Sequence, residues 1–161
     1  STLALHLAQN LRDQVIGAAN AAFPLECCGL IEGVATRGAW HVHAIHPAKN
    51  LAKDPADHFL VDPQTHFELL RGLRGSERCI IGCFHSHPNG LAMPSADDRA
   101  NAIEQDFVWL IASGKNWALS ICLHMFSTRP SAGLFRWSCA TKSNQKISGC
   151  SGNTVLDATL R

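Results

Sequence analysis

One segment constrains this chain more than any other. Cys79-Ile-Ile-Gly-Cys-Phe84 is apolar enough to form a buried strand, and it runs directly into His85-Ser86-His87-Pro88. Successive side chains on a strand point to opposite faces, so His85 and His87 share one. Pro88 lacks the N–H that would continue the ladder and ends it there. Six residues later comes Ser95-Ala96-Asp97-Asp98, which places a carboxylate eleven residues past His87. Two imidazoles and one carboxylate, with a fourth position left for water, are what a catalytic zinc requires.

The downstream half has a second reading. Pro94-Ser95-Ala96-Asp97-Asp98 precedes a helical pattern through Ile103. Ser95 and Asp98 fit a capping box, with Ser at the N-cap and an acid at N3. Such caps bind no metal, and a cap alone accounts for both residues. It also leaves Ser95 and Asp98 on the same side of a helix N-terminus beside the strand end, so cap and ligand are compatible. Asp97 competes with Asp98 for the ligand position. A hydrolytic zinc further needs a base that is not itself a ligand. Pro24-Leu25-Glu26-Cys27-Cys28-Gly29 supplies a lone carboxylate, Glu26, between a helical segment and the apolar run Gly29-Leu30-Ile31.

With Glu26 added, the residues resemble the signature of the JAMM (MPN-plus) metallopeptidases: an upstream Glu, then His-x-His-Pro-x6-Ser-x2-Asp. The resemblance rests on Glu26, His85, His87, Pro88, Ser95 and Asp98. The Pro-Leu-Glu-Cys-Cys-Gly context is similar to the short bacterial and archaeal members. The resemblance covers roughly residues 3 to 138. It implies an α/β fold: a mixed, curved, mostly antiparallel sheet with flanking helices, of MPN/JAMM, cytidine deaminase-like architecture. It implies one Zn²⁺ per chain, held by His85, His87 and Asp98 with a catalytic water, and the family spacing selects Asp98 over Asp97. Glu26 then serves as the base, and the Ser95 hydroxyl stabilises the oxyanion.

Substrate class follows from the same resemblance. JAMM enzymes of this kind cut the amide or isopeptide bond after the C-terminal Gly-Gly of a ubiquitin-like β-grasp protein. That chemistry serves deconjugation or maturation, including in bacterial conjugation systems that act against phage. An extended tail would dock as an added strand, and Asn89-Gly90-Leu91-Ala92-Met93 is either a wall of its channel or an ordinary connection. A second reading is release of an amino acid such as cysteine from a ThiS/MoaD-type sulfur-carrier protein. A third, an inactive MPN scaffold, is opposed by the intact Glu26, His85, His87 and Asp98.

Composition sets outer bounds. A chain of 161 residues is one domain's worth, able to bury roughly 70% of its unfolded surface without metal or disulfide support. A net charge of +1 gives no basis for nucleic-acid or membrane attraction. No run approaches the length of a membrane span, and no basic region precedes an apolar one at the N-terminus. The expectation is a soluble, cytoplasmic protein; opening on Ser1 instead of Met points to processing or an added remnant. The seven cysteines contain no Cys-x2-Cys pair, which argues against a zinc ribbon or redox motif and favours reduced thiols. Cys79, Cys83 and Cys122 sit in apolar patterns as small hydrophobes. Cys27 or Cys28 as a nucleophile would need the His pair as its base, which the zinc reading already uses.

Periodicity outlines the remaining elements. Leu3, Leu7, Leu11 and Val15, continued by Ala18, Ala19 and Ala22, predict an amphipathic helix over residues 3–22. Strands are expected at 28–34 and 40–45, then a loop at 46–61 ending in the short extended piece Phe59-Leu60-Val61. Asp62-Pro63 opens a helix through about Arg74. Further strands are expected at 79–85, 107–112, 118–126 and 132–137, with the helix from Ser95 between the first two. Residues 1–138 form the expected domain, and 139–161 a polar, flexible tail. His41, His43 and His46 form a second His cluster, either a further metal site or solvent-facing strand residues. Asn50 is either a hydrogen-bond donor to a substrate backbone or a turn residue.

Overall fold

The structure is a computed structural model that describes residues 2–36, 39–90, 107–125, 136–140 and 153–159. In chain order the elements are β1 (Thr2–Ala8), α1 (Gln9–Ala22), β2 (Cys28–Thr36), β3 (Ala39–Ala48), α2 (Pro63–Leu73), β4 (Cys79–His87), β5 (Phe107–Ser113), β6 (Ala118–Met125), β7 (Arg136–Ala140) and β8 (Asn153–Thr159). The strands form one eight-stranded sheet in the order β7-β6-β5-β4-β2-β3-β1-β8. Pairing is antiparallel except for β1 with β3 and β4 with β5. The expected mixed, mostly antiparallel sheet with helices packed on it is therefore present, with β4, the strand that carries both histidines, inside it.

Each face of the sheet has its own core. Leu11, Val15 and Ala19 of α1 seat on Leu5, Ile31, Phe84 and Leu110 on one face. Phe84 and Leu110 are fully buried, and each such side chain contributes roughly 1.5–3 kcal/mol of transfer free energy. On the opposite face Leu30, Cys83, Trp109, Ile111 and Cys122 form a smaller cluster, with Phe59, Val61 and Leu69 of α2 packed on it. Alternation along β4 puts Phe84 on the α1 side and Cys83 on the other, and His85 and His87 continue the Cys83 side. α2 starts as the sequence requires: Asp62 caps it by accepting from Gln64 N–H at 3.0 Å, and Pro63 takes the first helical position.

Three expectations need correction. Residues 2–8 are a strand, not the first turns of a helix. Leu5 and Leu7 are buried on one side, while His6 between them stacks on His41 of β3 at 4.5 Å. Residues 153–159, expected to lie in a flexible tail, form β8 and pair antiparallel with β1 from Thr2↔Thr159 to Ala8↔Asn153. Finally, Cys122 is disulfide-bonded, although reduced thiols were expected throughout. It stands directly opposite Cys139 in the β6–β7 register, a juxtaposition that sequence spacing does not reveal. Cys27, Cys28 and Cys79 are free thiols.

Candidate metal centre

His85 lies in the middle of the sheet, paired with Cys28 of β2 on one side and Ile111 of β5 on the other. Its ring is fully buried, and His87 is 8% exposed at the strand's last position. The two Nε2 atoms lie 3.0 Å apart. Phe59 stacks on the His85 ring at 4.4 Å, and Trp109 meets the same ring edge-on at 5.4 Å. The imidazole is thus held between two aromatic side chains, one from the loop before α2 and one from β5. At the strand end, Gly90 passes so close that an added Cβ would stand 2.9 Å from His87 Cβ and 3.3 Å from its Nδ1.

Glu26 comes to the same place from the connection between α1 and β2. It is 5% exposed, and its Oε1 lies 3.7 Å from His87 Nε2. Its backbone N–H donates to Pro55 C=O at 2.8 Å. A carboxylate fifty-nine positions upstream of His85 is therefore delivered beside the imidazole pair while standing off from it.

The arrangement suits a metal ion. Two nitrogens bound to tetrahedral zinc at roughly 2.0–2.1 Å each stand about 3.3–3.4 Å apart, within a few tenths of the 3.0 Å found here. Neutral imidazoles are zinc's usual nitrogen donors. Glu26 is near enough to share a water with that position. Asp98 and Ser95 both lie outside the described residues, as does the expected helix that begins there. Among the described residues, no group of three or more His, Cys, Asp or Glu side chains is assembled for a metal.

The competing sites are not supported. His41 stacks on His6, His43 is exposed, and His46 hydrogen-bonds Glu32 at 2.7 Å, so the second His cluster is dispersed over other partners. Burial pushes the Cys27 thiol up, against the opposing pull of the Ser86 hydroxyl. Burial likewise raises Cys28 to about 12, helped by Cys27 and Glu26. Nucleophilic cysteines need the thiolate, and these two are held as thiols. Asn50 has the turn role expected of it, its Oδ1 accepting from Ala52 N–H two residues on, and its side chain also bonds Leu60 N–H and the carbonyls of His58 and Glu26.

Sequence reading missed Phe59, Trp109 and Ser86 as parts of this neighbourhood. Phe59 left a signal, as an aromatic in a short extended piece just before a helix cap. Ser86 lies between the histidines and so was visible, but its role depends on β2 pairing beside β4.

The profile of the prokaryotic homologs of the JAB domain matches residues 8–122. A curated relative, the desampylase of Haloferax volcanii, is 33% identical over 113 residues, covering 68% of this chain and 80% of the relative. The tail tip assembly protein K of Escherichia phage N15 is 27% identical over 105 residues, and the match spans 65% of this chain but only 39% of that protein. Among solved structures, a Desulfitobacterium hafniense protein superposes with a TM-score of 0.65 at 28% identity, covering 75% of this chain and 83% of that one. A Salinibacter ruber protein shares the fold at a TM-score of 0.50 and 23% identity, covering 79% and 93%. The chain belongs to the prokaryotic JAB-domain branch of the JAMM/MPN family.

Proposed function

We propose that this chain is a zinc-dependent isopeptidase that hydrolyses the bond after the C-terminal glycine of a ubiquitin-like β-grasp protein. The observation that carries this reading is the placement of Glu26: its carboxylate stands 3.7 Å from His87 Nε2, beside two Nε2 atoms 3.0 Å apart. A base next to a nitrogen pair, but separate from it, is the arrangement metal-assisted hydrolysis uses. Family membership supports the reaction class, and the relative named desampylase supports a ubiquitin-like conjugate as substrate.

His85 and His87 would hold the zinc. Asp98 as third ligand and Ser95 as oxyanion donor are assigned on the family pattern. Zinc, when bound, supplies an acidified water and a Lewis acid for the scissile carbonyl. Glu26 accepts the water's proton on Oε1 as the bond to the carbonyl forms, then delivers it to the departing amine. Burial of Glu26 beside His87 keeps bulk water from competing for that proton. Phe59 and Trp109 orient the His85 ring, so the nitrogen pair is set before substrate arrives.

The test is incubation with a panel of β-grasp proteins extended beyond Gly-Gly by a peptide, by an isopeptide-linked lysine or by a single amino acid, with and without chelator. Mass spectrometry should show a chelator-sensitive cut after the second glycine. Absence of any such cut across the panel would remove the proposal.

A further inference from the structure

The peptide group joining Glu26 to Cys27 is gripped at both ends by side chains from distant parts of the chain. Its carbonyl, that of Glu26, accepts from Asn50 Nδ2 at 3.1 Å. Its N–H, that of Cys27, donates to Ser86 Oγ at 2.8 Å. In a planar trans peptide these two groups point in opposite directions, so the grips act from opposite sides and resist rotation of the plane. Held from both sides, the peptide cannot shift freely, and this anchors the Glu26 backbone from which the carboxylate reaches toward His87.

Both gripping side chains are firmly placed. Asn50 Nδ2 also donates to His58 C=O at 2.9 Å, and its Oδ1 accepts from the N–H groups of Ala52 and Leu60, both at 3.0 Å. Two donations and two acceptances use the whole capacity of an amide. Ser86 is fully buried, and its own N–H donates to Cys27 C=O at 3.1 Å. It stands between the two histidines in sequence, so the same stretch of β4 sets both the nitrogen pair and one grip on the base.

We propose that Asn50 and Ser86 are positioning residues that together set where the Glu26 carboxylate stands relative to His85 and His87. The inference rests on the hydrolase reading for its catalytic consequence, but the grip itself can be measured without catalysis.

The experiment compares Ser86→Ala, Asn50→Asp, Ser86→Thr and Glu26→Gln in the full chain loaded with zinc. Asn50→Asp keeps acceptors for Ala52 and Leu60 but loses the donor to both Glu26 and His58, so its effect is read against Ser86→Ala, which removes a grip and leaves the Asn50 loop bonds in place. Amide exchange at Cys27, followed by NMR, should speed up about tenfold or more in Ser86→Ala and return toward wild type in Ser86→Thr. With a cleavable Gly-Gly fusion, Ser86→Ala and Asn50→Asp should each lower kcat by about tenfold to a hundredfold, with KM within about threefold and zinc content unchanged. In the Glu26→Gln background neither should lower the residual rate further. Unchanged Cys27 exchange in Ser86→Ala would overturn the proposal, as would the same fold-loss with Glu26→Gln already present. If wild type cuts no fusion, the hydrolase reading fails, while exchange still decides whether the grip exists.

Discussion

His85 and His87 hold their Nε2 atoms 3.0 Å apart on one face of an internal strand, although each ring is braced by different neighbours. At that distance one Nε2–H can donate to the other ring, and the proposed zinc would take the place of that proton between them. Replacing either histidine by alanine should abolish stoichiometric zinc binding, measured by metal analysis after dialysis. Retention of one equivalent in both single variants would show that the metal, if any, lies elsewhere.

Phe59 braces His85 by stacking at 4.4 Å. Such ring pairs contribute about 0.5–1.5 kcal/mol beyond burial, so Phe59→Leu should weaken zinc affinity by several-fold, up to about tenfold. Competition against a chromophoric chelator measures this directly.

Gly90 and Gly72 make a contrasting pair. A Cβ at Gly90 would press on His87, whereas one at Gly72 in α2 meets nothing within 4 Å. Gly90→Ala should therefore weaken zinc binding and also lower Tm in the metal-free protein, because His87 or the chain at Gly90 must shift to admit the methyl group. Gly72→Ala should leave zinc binding alone and raise stability by roughly 0.5–1 kcal/mol.

Glu32 sets an acid limit on stability. Burial opposes its ionisation, but hydrogen bonds from His46 and Arg78 outweigh it and hold the carboxyl below its ordinary value of 4.5. A carboxyl whose pKa is depressed by folding stabilises the fold above the unfolded pKa, and that contribution disappears as pH falls through the lower folded value. Glu32→Gln should cost about 1–3 kcal/mol at pH 7, and its urea midpoint should converge with wild type in acid. Parallel curves down to pH 3 would contradict this.

How much of this was legible in the sequence depended on whether the signal was local. Asp62-Pro63 announced α2, and the apolar run into His85-Ser86-His87-Pro88 announced β4, because cap, proline and alternation act within a few residues. The start of the chain misled. Leu3, Leu7, Leu11 and Val15 keep a helical period across a boundary at Ala8, where no side-chain cap marks the change to α1. What resolves Thr2–Ala8 as a strand is its pairing with β3 and β8, which no local pattern records. The site followed the same rule. Glu26, His85 and His87, which the structure brings together, were singled out from their types and sequence context, while the bonds of Asn50 and Ser86 to the Glu26–Cys27 peptide join groups far apart in sequence and leave no motif.

The proposed hydrolysis depends on Glu26 serving as base beside a zinc held by the histidine pair. The most direct measurement is single-turnover cleavage of a Gly-Gly fusion by wild type, chelated wild type and Glu26→Gln, with zinc quantified in each sample. Glu26→Gln should retain one zinc yet lose about 10²–10⁴ in rate, and chelated wild type should be inactive until zinc is restored. Undiminished cleavage by Glu26→Gln, or by the metal-free protein, would contradict it.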